Sequence, residues 1–344
     1  MNKKIYLIRS SNNKFGGAEN YLLRFSNALK KNQIEHQIIN SPFPNFLPSW
    51  MKALLFNFQL NFIKKDKFFY SFDRISCPDV YRAGDGVHKT FLSIEKKSKL
   101  NLLHPTYCYL EKKCFNNAKA IIANSKMVKD EIIETYQINP NKIHVVYNGI
   151  ELKNIDYPKS FNKLSKEFQI SKKDSIILFV GSGFKRKGVE EFLRIFSKIR
   201  YKYIKAFIIG KENNIGYYQN LSTKLLIDKK VFFTGPRVDV DDFYTISDIL
   251  LFPTHYDPFS NVVLEAMNFE NVVFTSSNNG AKEILDNDFI MDAHNDDKLI
   301  LSISNLLANK TKLNKEKKKN KKISQKFSIE NNLKQTLEIV KKIE

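Results

Sequence analysis

Two carboxylates stand eight positions apart where an apolar run gives way to a helical pattern. They open and close the stretch Asp257-Pro-Phe-Ser-Asn-Val-Val-Leu-Glu265, which follows the predicted strand 249–253. We expect Asp257, in the loop, to hold sugar hydroxyls and Glu265, in the helix, to hold a ribose. Backbone N–H groups at a helix start are free to bind an anion, and here they belong to Phe259, Ser260 and Asn261. An ordinary strand-to-helix turn with an acidic start fits the same residues.

A charged, glycine-flanked loop follows another apolar run. It reads Gly181-Ser-Gly-Phe-Lys-Arg-Lys-Gly188 and begins where the predicted strand 176–180 ends. Ligands of doubly wound sheets bind beyond the carboxyl ends of the strands. Cations there suit a diphosphate leaving group, which gains negative charge as the sugar bond breaks. We therefore predict that Arg186 and Lys187 bind a diphosphate, although solvated charges in a lysine-rich chain are an open alternative.

Two more loops lie after predicted strands. Gly16 and Gly17 end the loop after the first strand, and paired glycines before a helix let the backbone approach a ligand closely. Arg237 ends the loop after the predicted strand 231–233. We include all three residues in the predicted ligand site, while a plain turn explains the double glycine equally well.

Asp85 and His88 lie three residues apart in the turn Tyr81-Arg-Ala-Gly-Asp-Gly-Val-His88. Such a pair can orient an acceptor hydroxyl or steady positive charge at a reacting carbon. A structural role, in which the carboxylate bonds turn amides and the ring packs, fits equally. Asp239 and Asp241 resemble a metal-binding pair, but aspartate is favoured at a helix N-terminus. We therefore predict a helix start there and no metal site.

The elements that position these loops form two α/β series. Residues 1–153 and 174–326 each contain apolar runs of strand length separated by helical patterns, which is typical of parallel sheets with crossover helices. The polar, lysine-rich segment 154–173 suits a linker between two domains. The final segment, 327–344, predicts an amphipathic helix that is capped by Ser328 and docks on another element.

The composition favours a globular protein with an anionic partner. Lysine and arginine number 56 and aspartate and glutamate 36 among 344 residues, a net charge of +20, and 42% of the residues are apolar. A membrane surface, a phosphorylated acceptor and nucleic acid are the candidate partners, and a general compositional bias explains the charge equally well. The basic, aromatic-rich segment 88–119 and the lysine run 310–326 fit an anionic lipid surface. Packed helices with snorkelling lysines and a solvated, poorly ordered helix are the respective alternatives.

Cysteine usage and targeting patterns indicate the compartment. Cys77, Cys108 and Cys114 have spacings that suit neither a zinc site nor a disulfide framework, which favours a reducing environment. The first residues lack the pattern of a secretory signal, and no apolar run approaches the ~18 residues of a membrane span. We therefore expect a cytoplasmic location.

Four stretches together resemble the retaining glycosyltransferases of family 4, and within them the bacterial enzymes that add glucose to heptose of the lipopolysaccharide core. They are Phe15-Gly-Gly-Ala-Glu19, the turn 81–88, the basic loop 180–188 and the stretch 257–267. The resemblance covers nearly the whole chain. It implies a GT-B fold, in which two Rossmann-like domains face a cleft, the second domain holds the donor and the last helix crosses back to the first domain.

The resemblance also implies residue roles. Glu265 matches the glutamate that holds the donor ribose, and Asp257 matches the acid at the sugar hydroxyls. The other matches are Arg186 and Lys187 with the basic pair at the diphosphate, Gly16 and Gly17 with the loop that closes over it, and Asp85 and His88 with the acceptor-side turn. The family usually has glutamate where this chain has Asp257, glycine where it has Ser260, and arginine where it has Ser182.

The implied activity is metal-independent transfer of a hexose, glucose, from a UDP-sugar with retention of configuration. The implied acceptor is a lipopolysaccharide-core or lipid-linked saccharide at the inner face of the cytoplasmic membrane. No cofactor and no nucleic acid partner are expected. Two alternatives remain open: a nucleotide-sugar 2-epimerase, which shares the fold, and a basic protein that binds anionic lipid or nucleic acid and carries a vestigial site.

Overall fold

The computed structural model describes residues 3–11, 16–95, 101–292 and 297–344. Phe15 of the glycine motif and residues 96–100 of the basic segment lie outside this part. The chain divides into two compact units, of which the first comprises Met1–Glu151 with Phe327–Glu344 and the second Leu152–Lys326.

The first unit contains one parallel sheet with the strand order β2-β1-β3-β4-β5-β6. Its elements are β1 Ile5–Ile8, α1 Gly17–Lys31, β2 His36–Ile39, α2 Ser49–Ile63, β3 Phe68–Ser71, β4 Val80–Ala83, α3 His88–Glu95, α4 Leu103–Asn117, β5 Ala120–Ala123, α5 Lys126–Tyr136 and β6 Ile143–Val145. Because every neighbouring pair is parallel, the carboxyl ends of the strands lie on one edge of the sheet.

The second unit contains another parallel sheet, with the order β12-β11-β10-β7-β8-β9. Its elements are α6 Tyr157–Phe168, β7 Ser175–Val180, α7 Phe184–Lys187, α8 Val189–Lys198, β8 Ile204–Ile209, α9 Ile215–Lys224, β9 Val231–Gly235, α10 Val240–Ile246, β10 Ile249–Phe252, α11 Asn261–Asn268, β11 Val272–Ser276, β12 Ile290–Met291, α12 Asp297–Ala308 and α13 Lys310–Ser324. β7 and β10 are neighbours, so their carboxyl-end loops lie side by side.

Helices cover both faces of the first sheet. Ile5 and Leu7 of β1 belong to one buried cluster with the apolar face of α1, whereas Ile8 belongs to another with Phe56 and Leu60 of α2. Alternate residues of a strand point to opposite faces, so α1 and α2 pack on opposite sides. The strands are accordingly apolar on both faces.

The last helix, α14 (Ile329–Ile343), docks in the first unit as predicted. The Ser328 hydroxyl accepts a hydrogen bond from Asn331 N and caps the helix. Leu333 and Val340 lie in the same buried cluster as α1, and the Tyr21 hydroxyl lies 2.6 Å from Asn332 Oδ1. The predicted return of the C-terminal helix to the first domain is confirmed.

Two segments differ from their sequence-based descriptions. Residues 154–173, predicted as a linker, contain α6, which packs within the second unit. The lysine run forms α13, which is docked rather than loosely solvated: Lys317 pairs with Asp248 at 3.0 Å, and Asn320 Nδ2 donates to Asn271 O at 2.9 Å. Polar partners just before β10 and β11 order a helix that its composition alone leaves solvated. Among the described residues, no helix has the length and apolar character needed to cross a membrane.

Candidate functional site

Lys187 and Asp257 form an ion pair at the carboxyl ends of the neighbouring strands β7 and β10. The Lys187 Nζ donates to Asp257 Oδ2, and the two side chains are 14% and 10% exposed. Burial raises the pKa of the Asp257 carboxyl, but Lys187 and Arg186 outweigh burial and hold it below its usual value. The acid assigned to the sugar therefore lies in contact with the cation assigned to the diphosphate.

Arg186 joins the basic loop to the loop after β10. Its Nη1 donates to Tyr256 O at 3.0 Å. Its own carbonyl accepts from His255 N at 2.9 Å and from Thr254 Oγ1 at 3.1 Å. Arg186 therefore positions the backbone that carries Asp257 as well as placing positive charge beside it.

The start of α11 differs from the prediction. Ser260 is the residue before the helix, and Asn261 is its first residue. Phe259 N donates to Asp257 Oδ1 at 3.2 Å, and Ser260 N donates to Asn279 Oδ1 at 3.3 Å. The expectation that these two amides are free for an anion is wrong, because side chains of the turn satisfy them first.

Glu265 lies on the second turn of α11 and is half-buried. The hydroxyl of Tyr244, from α10, donates to its Oε2 at 3.3 Å. A carboxylate can accept several hydrogen bonds, and hydroxyl groups such as those of a ribose are suitable donors. Its predicted role at the ribose stays a prediction.

Arg237 is occupied by carboxylates of its own unit. Its guanidinium donates to Asp239 through Nε at 2.8 Å and Nη2 at 2.9 Å, and to Glu167 through Nη1 at 2.7 Å and Nη2 at 3.0 Å. Glu167 lies on α6, so these bonds tie α6 to the start of α10. Two bidentate pairs thus use most of its fork of donors, and its predicted place in the ligand site stays a prediction.

Asp239 and Asp241 lie at the N-terminus of α10, as predicted. Asp239 pairs with Arg237, and Asp241 Oδ2 lies 2.6 Å from Lys153 Nζ. Hydrogen bonds from Arg237 and Lys163 outweigh partial burial and hold the pKa of Asp239 well below its usual value. Within the described ranges, no group of three or more His, Cys, Asp or Glu side chains has metal-binding geometry.

In the first unit, Asp85 belongs to a network built around Arg9. Arg9 Nη1 lies 3.2 Å from Asp85 Oδ2 and 3.0 Å from Asp73 Oδ1, while Nη2 lies 3.0 Å from Glu19 Oε1. Burial alone lowers the pKa of Arg9, but the three carboxylates outweigh it and raise the pKa above the usual value. Arg9 follows β1 directly, and sequence reasoning missed it because nothing in its neighbourhood marks its partners.

The same network reaches the double glycine. Gly16 precedes α1, Gly17 is its first residue, and the Glu19 side chain lies against Gly16. Through Glu19 and Arg9, the structure brings the glycine loop and the Asp85 turn into one cluster at the strand ends of the first sheet. The predicted closure of the loop over a diphosphate stays a prediction.

His88 begins α3, and its ring packs against Phe91, His104 and Tyr107. Its Nε2 lies 3.2 Å from His104 Nδ1, and its backbone N donates to both oxygens of Glu111, at 2.9 and 3.1 Å. Burial, with Arg74 and His104, lowers the pKa of His88 to about 4. The ring is therefore neutral at pH 7 and acts there as a hydrogen-bonding group.

The chain is similar to known glycosyltransferases in sequence and in structure. The family model described as Glycosyl transferases group 1 matches residues 160–325, and the model described as Glycosyltransferase Family 4 matches residues 82–154. The crystal structure of WaaG, a glycosyltransferase involved in lipopolysaccharide biosynthesis, matches with a TM-score of 0.81 at 17% identity, covering 97% of this chain and 99% of that chain. The chain has the GT-B fold, and its matched segments resemble glycosyltransferases.

Other relatives agree with this fold and this resemblance. Lipopolysaccharide glucosyltransferase WaaG of Escherichia coli K12 is 24% identical over 218 residues, 60% of this chain and 58% of its own length. The structure of Anabaena HepE in complex with UDP and glucose matches with a TM-score of 0.75 at 17% identity, covering 99% of this chain and 100% of that chain. The first curated relatives are matched over only 44%, 55% and 36% of their lengths. The predicted GT-B fold and the resemblance to family 4 are confirmed.

Proposed function

We propose that this glycosyltransferase moves a hexose, glucose, from a UDP-sugar to a lipopolysaccharide-core or lipid-linked saccharide, with retention of configuration and without a metal ion or cofactor. The observation that carries the proposal is the buried Lys187–Asp257 pair, placed beside Arg186 where β7 and β10 end. Two cations and one acid at adjacent strand ends suit a diphosphate joined to a sugar.

Each residue of the second unit has a distinct part in this proposal. Lys187 and Arg186 stabilise the negative charge that develops on the leaving diphosphate, because fixed cations need little reorganisation during the reaction. Asp257 accepts hydrogen bonds from sugar hydroxyls, and Glu265 accepts them from the ribose. The acceptor hydroxyl attacks on the face that the diphosphate leaves, and a phosphate oxygen takes its proton.

In the first unit, Asp85 and His88 are the proposed acceptor residues. Asp85 is 38% exposed on its side chain and held by Arg9, so its carboxylate is oriented while remaining accessible. The acceptor class is supported by the relatives named for lipopolysaccharide biosynthesis. We accordingly propose work at the inner face of the cytoplasmic membrane, to which a chain of charge +20 is attracted when the lipid is anionic.

The test is transfer of labelled hexose from UDP-hexose to extracted core or lipid-linked acceptor. Lys187→Ala and Glu265→Ala should each lower kcat/KM by roughly 100-fold or more, the scale of losing one preorganised electrostatic contact. The matched control is Lys185→Ala, because Lys185 lies in the same helix but is exposed, and it should change the rate by less than about threefold. Unchanged rates for Lys187→Ala and Glu265→Ala would contradict the proposal.

Product analysis checks the remaining parts. The anomeric configuration of the product, read by NMR coupling, should equal that of the donor. A chelator should leave the rate unchanged. Recovery of a free 2-epimer of the donor sugar would instead support the epimerase alternative.

A further inference from the structure

Five large apolar side chains are exposed on α2 and on the loop before it. We call them the α2 patch: Phe46 is 84% exposed, Phe62 77%, Phe58 74%, Leu55 37% and Leu54 36%. Apolar side chains are common singly on protein surfaces, but five within 17 consecutive residues, three of them phenylalanine, form a concentration that marks a contact site.

The patch exists because α2 is apolar on two faces. Its inner face packs Phe56 and Leu60 against Ile8, Phe69 and Ile75. On the outer face, residues 54, 58 and 62 are spaced by four, so they form a stripe along the helix. A helix that is apolar all round is normally buried. The outer stripe of α2 therefore has the character of a surface that a partner covers.

The charges around the patch favour an anionic partner. α2 contains no acidic residue, and Lys52 lies within it. Lys64 and Lys65 follow the helix directly, and Asp66 is the single acid between residues 46 and 67. Lys64 pairs with Asp79, whereas Lys65 is exposed and lies two residues beyond the end of α2. Lysines at the border of an aromatic patch suit a lipid interface, where their heads reach anionic headgroups.

We propose that the α2 patch docks this enzyme on an anionic lipid bilayer, with α2 lying along the interface and its phenylalanines inserted among the acyl chains. The 15-residue helix is about 22 Å long at 1.5 Å per residue, shorter than the ~30 Å hydrocarbon core, so it lies on the membrane. A second copy of the chain fits less well, because it would bring two lysine-bordered patches together in a protein of charge +20. The proposal rests on the proposed function, in which the acceptor is lipid-linked.

The single tryptophan of the chain, Trp50, lies in the first turn of α2 and reports on this surface. Vesicles of phosphatidylglycerol and phosphatidylcholine should shift its emission to the blue, and brominated lipid should quench it. The double variant Phe58→Ser with Phe62→Ser should bind these vesicles at least tenfold more weakly in a sedimentation assay. Its matched control is Leu226→Ser with Val238→Ser, two apolar residues 87% and 100% exposed in the second unit, which should bind like wild type.

A second variant tests the contribution of positive charge to vesicle binding. Lys65→Asn, a substitution that tolerates the positive φ of 32° at this position, should weaken binding to the anionic vesicles severalfold and leave binding to pure phosphatidylcholine unchanged. Equal vesicle binding by wild type and the phenylalanine double variant would overturn the proposal. A wild-type dimer that the same double variant dissociates would also overturn it and assign the patch to a second copy.

The donor reaction separates this proposal from the proposed function. Hydrolysis of UDP-hexose without vesicles should be equal in wild type and the phenylalanine double variant, because the patch belongs to the first unit and Lys187 and Glu265 belong to the second. Lost vesicle binding with intact hydrolysis supports the α2 patch. Intact vesicle binding in a wild type without any UDP-hexose activity overturns the function alone.

Discussion

His88 is enclosed at the start of α3, where Phe91, His104 and Tyr107 surround its ring. Arg74 adds positive charge nearby, and the pKa is lowered to about 4. The unfolded chain binds a proton at this residue near pH 6.5, whereas the folded chain does not until pH 4. The stabilising effect of a neutral His88 is therefore complete above pH 6.5 and is lost as the pH falls toward 4.

Replacing His88 by glutamine should flatten the acid side of the stability profile. Between pH 7 and pH 5, the free energy of unfolding should fall by about 1 kcal/mol less in His88→Gln than in wild type, after discounting the full shift for partial solvent screening. Urea unfolding followed by circular dichroism at both pH values measures this difference. Parallel losses in the two proteins would show that His88 titrates normally in the folded state.

At the same scale, the sequence predicted individual groups better than their partners. Asp85, Lys187 and Asp257 were predicted from local motifs, and each lies at a strand end. Arg9 was not predicted, because its three carboxylates come from positions 10, 64 and 76 residues away. Arg237 was placed in the site for its position after β9, but Glu167 lies on a helix that the polar sequence of 154–173 does not reveal. For both arginines, ion pairs with residues far away in the sequence determine where the side chain lies.

At the scale of the elements, the two glycines that flank α7 have different structural roles. Both Gly183, before the helix, and Gly188, after it, have positive φ, +74° and +79°. A Cβ at Gly183 meets no atom within 4 Å, whereas a Cβ at Gly188 would overlap the carbonyl oxygen of Pro253. Gly188 therefore lets α8 approach the loop after β10 closely, and this approach sets Lys187 beside Asp257.

Alanine at the two positions should separate backbone strain from steric overlap. Gly183→Ala should cost about 1 kcal/mol, the strain of a left-handed residue. Gly188→Ala should cost about 3 kcal/mol, because the backbone of Pro253 must also move. Urea unfolding gives both values, and UDP-hexose affinity should fall only in Gly188→Ala. Equal costs would show that the loop shifts freely and that Gly188 does not position the pair.

Elements that are short or unevenly patterned were not predicted from the sequence. The two-residue strand β12 carries too few positions for any periodicity. α2 was not recognised as an exposed helix, because apolar residues on both faces hide the spacing that marks an amphipathic one. The long strand β7 and the amphipathic helix α14 were predicted within one or two residues. The local pattern of apolar residues thus sufficed for elements with one dominant apolar face. It failed for elements whose structure depends on contacts with distant parts of the chain.

For the whole molecule, alternation of strand and helix patterns was enough to predict two parallel α/β layers, whereas the GT-B fold was predicted from the family resemblance. The return of the last helix to the first unit came from the resemblance, because an apolar face shows that a helix docks but not where. The structure supplies the place: Ile150 and Ser328 form a parallel bridge, and Ile329 N donates to Ile150 O at 2.9 Å. The first unit therefore needs residues from both ends of the chain to complete its core.

This dependence makes a single change near the C-terminus act on the N-terminal sheet. Leu333 is 2% exposed in the cluster of β1 and β3. Its replacement by alanine should lower the free energy of unfolding by about 2–5 kcal/mol, because burial is lost and a cavity remains. Hydrogen exchange should show faster opening of β1 and β3, more than 300 residues earlier in sequence for β1, by a factor of roughly 30 or more. Lys334→Ala, at the exposed neighbouring position, should leave both strands protected. Faster exchange confined to residues 327–344 would mean that α14 frays without supporting the sheet, and the first unit would then end at residue 151.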